Sequence, residues 1–130
     1  MIETHTVSLP LAKIMRDMGF PQTSEFRWVC QRGRPNMGDK PNWYILETER
    51  TYNFTGKNKA SCYLATELAE WLPNNIIMGK RKADWFIDDD VYATSGKKFE
   101  DKSLPDAMAK MLIYLAKNNL LDPSTLKGAT

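Results

Sequence analysis

A chain of 130 residues, 42% hydrophobic and 26% charged, has the size and composition of one ordinary globular domain, 1–130, with no room for a second. Its 18 basic and 16 acidic residues leave a formal net charge of +2, which excludes an electrostatically driven nucleic-acid binder and leaves only a local basic patch open. Cys30 and Cys62 are too few and too widely spaced for a disulfide scaffold or zinc knuckle, and no apolar run approaches the roughly 20 residues that cross a bilayer, so the expectation is a soluble cytoplasmic protein with reduced thiols and no membrane partner.

The first legible element begins at Ser8, where a capping hydroxyl and Pro10 precede Leu11, Ile14, Met15 and Met18 at helical spacing. Gly19 and Pro21 end it, predicting a helix over about Leu9 to Met18 with Phe20 packing back on its last turn. From Glu25 to Gln31 the period falls to two, which places Phe26, Trp28 and Cys30 on one face of a strand and Arg27, Val29 and Gln31 on the other. A turn-rich run, Arg32 to Pro41, separates this strand from a second over Asn42 to Glu49, the pattern of an antiparallel hairpin with a long loop. Thr51 to Lys59 reads as another loop.

Cys62 to Ala65 reads as extended and leads to a short helix capped by Thr66, with Glu67 in its first turn and Leu68, Trp71 and Leu72 facing inward until Pro73. Asp84 to Ile87 is a strand candidate, Asp88 to Asp90 a turn, and Val91 to Thr94 its antiparallel partner. The clearest helix runs from Ser103 to Leu121. Ser103 caps it with Asp106 answering three residues later, Pro105 occupies the first turn, and Met108, Met111, Leu112 and Leu115 form one apolar stripe. Asn118 or Asn119 supplies the left-handed stop before Leu120 folds back, and Ser124 to Thr130 is expected to fray. The fold class is therefore α+β: a twisted antiparallel sheet of about four strands, the N- and C-terminal helices on one face, and a short middle helix.

Three runs in this order, Met18-Gly19-Phe20-Pro21-Gln22, Glu67 to Pro73 and Asp106 to Leu115, resemble a group of small uncharacterised proteins of bacteriophages, prophages and bacterial mobile elements. The resemblance implies a bacterial host and a cytoplasmic setting. Its motifs are helix ends and core stripes, so it carries over no catalytic residue.

The candidate chemistry is sparse. Asp88, Asp89 and Asp90, with Asp84, Glu100 and Asp101, offer oxygen ligands for a divalent cation, but consecutive aspartates at a reversal diverge, and no metal is expected. His5 is the only histidine and lies in the least patterned segment, which removes the usual base for Cys30, Cys62 or a serine. Glu67 and Glu70, at i and i+3, imitate an acid/base couple but are better read as a solvated helix face. With no Gly-rich phosphate loop and no histidine-based zinc motif, neither cofactor nor catalytic residue is expected.

Lys80, Arg81 and Lys82, joined by Lys57, Lys59, Lys97 and Lys98, are the candidate nucleic-acid-binding patch, and Arg27, Arg32 and Arg34 around Trp28 a second. Trp43, Trp71 and Trp85 are best placed in the core. Exposure of Trp43 or Trp85 would instead mark a protein-binding or self-association surface. The function expected is that of a non-enzymatic accessory protein acting through protein–protein interaction, with nucleic-acid binding through Lys80 to Lys82 as the alternative.

Overall fold

In the computed structural model, which describes residues 5–31, 41–73, 76–89 and 98–126, the centre of the molecule is α3 (Leu104–Lys117). Both of its ends follow from local chemistry. Ser103 Oγ accepts the Asp106 N–H at 3.4 Å, and Pro105 sits in the first turn, where no intrahelical donor is needed. At the other end Asn119 takes a left-handed φ of 59°, so that Leu120 N donates to Leu115 O at 2.9 Å and Asn119 N to Ala116 O at 3.2 Å. Helix α1 (Leu9–Asp17) closes with the same pair of bonds around Gly19, whose φ of 90° suits a residue without Cβ, and Phe20 turns back into the core.

The capping partners differ from expectation. Ser103 N–H donates to Asp101 Oδ1 at 2.9 Å, and Asp106 Oδ1 accepts the Ser8 N–H at 2.7 Å, bridging the starts of α3 and α1. Helix α2 (Ala65–Ala69) begins one residue before Thr66, and the Glu67 carboxylate caps it by accepting the Leu64 N–H at 2.8 Å. The α1 stripe is also displaced: Ala12 and Met15 are buried while Ile14 is 39% exposed.

The single four-stranded sheet is not formed. The described strands make two antiparallel sheets of three, β2 (Asn42–Glu47), β1 (Phe26–Gln31), β3 (Lys59–Ser61) and β4 (Ile76–Arg81), β5 (Asp84–Asp89), β6 (Lys98–Asp101), in those spatial orders. The division arises because Lys59–Ser61, read as the end of a loop, pairs with β1 through Trp28↔Ala60, and because Ile76–Arg81, which has no period-two alternation, pairs with β5. The expected partner Val91 to Thr94 lies outside the described residues.

The two terminal helices accordingly do not share one face of one sheet. Helix α1 touches α3 and β3, while α3 packs on β5, β6 and α2. Buried residues occur around most of the α3 circumference, including Ala107, Met108, Met111, Leu112, Ile113 and Leu115, more than a single stripe supplies. They join Val7, Phe20, Tyr63, Trp71 and Ile87 in one cluster. Beyond α3, Pro123–Thr125 form a 3-10 turn capped by Asp122, and Leu126 packs against the core. Among the described residues no helix is long and apolar enough to cross a membrane.

Candidate functional site

Strand alternation determines where Trp85 lies. It shares a face of β5 with Ile87, which is fully buried beneath α3, but two residues earlier the covering helix has only begun, so Trp85 is partly buried at the rim. The β4–β5 hairpin turns through two residues, Lys82 at a φ of 57° and Ala83, which sets Arg81 opposite Asp84 and Lys80 opposite Trp85. Lys80 Nζ stands 5.4 Å from the centre of the indole ring, a cation–π contact worth about 0.5–1 kcal/mol at an exposed site. Met78, on the same face of β4, is 46% exposed.

Trp85 is one wall of a cleft of about 430 Å³. The start of α2 (Leu64, Ala65, Thr66) and the start of α3 (Ser103, Leu104, Pro105) line it with His5 and Lys102. Asp101, directly opposite Trp85 on β6, is already engaged by Lys110 Nζ at 2.7 Å and by the Ser103 N–H. Burial pushes the Asp101 carboxyl up, but Lys110 and the backbone donors outweigh it and hold the group below the ordinary aspartate value. The side chains left to meet a ligand are an indole, aliphatic walls, the His5 imidazole, the Thr66 and Ser103 hydroxyls and the basic groups of Lys80 and Lys102.

Of the expected cations, Lys80 belongs to this site and Lys82 does not. Lys82, in the turn, lines a shallower hollow of about 180 Å³ with Asp84, Phe86 and Glu100, and the Arg81 side chain is outside the described set. Phe86 and Glu100 are register partners standing on the face opposite Trp85, so Lys80 and Lys82 serve different faces of the sheet. Gly79 permits this layering, since a Cβ there would lie 2.7 Å from the Phe86 ring. Lys98 stands over Phe86 at 5.2 Å and pairs with Glu100 at 3.4 Å, while Lys97 is outside the described residues. Of the arginines expected around Trp28, Arg27 turns inward, donating through Nη2 to Gln22 O at 2.5 Å, its Nε is buried without a partner, and burial lowers its pKa. Arg32 and Arg34 lie outside the described residues.

Of the tryptophans, Trp71 is in the core against Tyr63 and Phe20, as expected. Trp43 is not. It is partly buried on β2, with Lys13 Nζ 4.5 Å from its ring centre.

The acidic features do not converge. Among the described residues no three His, Cys, Asp or Glu side chains are grouped to hold a metal ion, and Asp90 lies outside the described set. Another hollow, of about 480 Å³, is lined by Glu25, Phe26, Glu47, Thr48 and Glu49, with no basic or nucleophilic partner for its carboxylates other than Thr48, whose hydroxyl donates to Ser24 O. Glu67 is no solvated acid/base partner for Glu70: it accepts from Ser24 Oγ and Leu64 N, both at 2.8 Å, and from Glu25 N at 3.2 Å. Cys30 and Cys62 are buried thiols.

His5, Thr66 and Lys102 carried no sequence signal, because the cleft is assembled from four separated segments whose only link is packing around α3. No protein-family model, curated protein or solved structure matches the chain.

Proposed function

We propose that this protein is a non-catalytic docking module whose Trp85 cleft receives an acidic segment of a partner protein. The setting we propose is the one the sequence resemblance implies, the cytoplasm of a bacterial host carrying a phage or mobile element. The observation that carries the reading is the partly buried indole between Lys80 and a cleft edged by Lys102, with the carboxylate opposite it on β6, Asp101, already held by Lys110. An aromatic anchor in a concave, partly desolvated site flanked by charges of one sign is the composition from which binding hot spots are made. The separation of Lys80 from Lys82 favours this over a phosphate-tracking surface, which needs its cations on one side.

The test is selective capture. Wild type and Trp43→Ala should retain from a bacterial lysate a partner that Trp85→Ala and Lys102→Glu each lose at least tenfold and that soluble polyglutamate displaces. Capture indifferent to Trp85 refutes the reading. A steeply salt-dependent shift of single-stranded DNA, abolished by Lys80→Glu, would establish the nucleic-acid alternative instead.

A further inference from the structure

Strand β4 is an edge of the second sheet: it pairs with β5 on one side, and among the described residues no strand pairs with the other. The two-residue hairpin makes Arg81↔Asp84 a hydrogen-bonded pair, and antiparallel geometry then alternates along the strand. Gly79 and Ile77 direct their backbone groups to β5; Lys80, Met78 and Ile76 direct theirs to the open edge. The Ile76 N–H confirms this phase, since it turns away from β5 to donate to Pro73 O at 3.3 Å. That leaves the Ile76 carbonyl and both backbone groups of Met78 and Lys80 facing outward, on the residues whose side chains stand on the Trp85 face.

We infer that the partner segment enters as a fourth strand on the open edge of β4, with an acidic side chain beside Lys80 and an apolar one beside Met78. The inference rests on the docking reading above and adds how the segment is held. Main-chain bonds to an edge strand supply affinity, and alternate side chains supply selectivity. The occupant is acidic because Lys80, the charged side chain that β4 carries beside this edge on the Trp85 face, is basic. A second copy of β4 fits less well, since Ile76 to Lys80 contains no acid to meet Lys80.

The probe is an eight-residue synthetic peptide alternating glutamate with leucine, compared with its lysine–leucine counterpart. The glutamate peptide is expected to bind with a change in tryptophan emission that Trp85→Phe removes, and the lysine peptide to bind at least tenfold more weakly. Met78→Pro deletes an outward N–H without touching the β4–β5 ladder and should weaken binding tenfold or more, while Met78→Ala should not. Should Met78→Pro fail to fold, hydrogen exchange on wild type decides, with the Met78 and Lys80 amides gaining at least tenfold protection on binding. A peptide that needs Trp85 and Lys80 but gives no edge protection overturns strand addition and leaves the docking reading intact. A peptide that does not bind overturns both. Dimerisation in light scattering that Met78→Pro abolishes assigns the edge to a second copy and overturns the acidic occupant.

Discussion

Asp106 has three neighbours that set its behaviour: Ser8, whose N–H it accepts at 2.7 Å, the Asp101 carboxylate and the Lys110 ammonium, which opposes the Asp101 charge. Half-burial is the larger influence and pushes its carboxyl above the ordinary value of 3.8, with the Asp101 charge adding to the rise and Ser8 opposing it. A carboxyl that holds its proton more tightly folded than unfolded favours the native state below 3.8, and that contribution is lost as pH rises through the folded pKa. Asp101, whose folded value is lowered, works in the opposite window: its contribution is present above 3.8 and is lost as pH falls through the lowered value. Asp106→Asn keeps an acceptor for Ser8 and removes the titration. In urea unfolding at a series of pH values, the variant should gain on wild type as pH rises from 3.8 and then hold a constant advantage. Parallel profiles would contradict the assignment.

At the scale of elements, the helices were legible and three of the described strands, β3, β4 and β6, were not. Helix α3 announces itself by Ser103, Pro105 and an i, i+3, i+4 pattern, all local quantities that a neighbour cannot easily overrule. Strand β3 is Lys-Ala-Ser, and β4 runs from Ile-Ile-Met to Gly-Lys-Arg; neither alternates, and each is a strand because a neighbouring ladder accepts its backbone. The join between α2 and β1 is likewise long-range. Glu67 accepts bonds from Leu64 N, Ser24 Oγ and Glu25 N, so it caps its own helix and fastens the approach to β1. Removing it deprives the Leu64 N–H of its cap, while Ser24 Oγ keeps Cys62 O at 2.8 Å and the exposed Glu25 N–H turns to water, so Glu67→Ala should cost about 1–3 kcal/mol, with Glu67→Gln intermediate. Denaturant midpoints measure this, and a loss below about 0.5 kcal/mol would show the carboxylate to be replaceable by water.

For the whole molecule, the decisive fact is that one helix covers one sheet and supports the elements that carry the other. Helix α3 contacts β5, β6, α1 and α2, and α1 in turn contacts β3. Leu112, fully buried in the shared cluster, lies where a cavity has few ways to collapse. Leu112→Ala should cost about 2–5 kcal/mol, and far-UV ellipticity and tryptophan emission should still share one midpoint, because both sheets depend on the same core. Separate midpoints would mean that the sheets unfold independently.

What the sequence determined by itself was the two long helices and their glycine and asparagine stops, which depend on neighbours within about one helical turn, together with the hairpin of β1 and β2, marked by alternation either side of a turn-rich run, and the α+β class. What only the tertiary structure decided was how the strands divide into two sheets and which side chains meet. Lys80 and Lys82 are two apart in the chain and serve opposite faces, because β4 ends at Arg81 and Lys82 sits in the turn, whereas Trp85, Lys102 and His5 are distant and line one cleft. The physical reason is that a strand extends only as far as a neighbouring ladder accepts it, while burial of α3 draws separated segments together, and neither effect is written in any single window of residues.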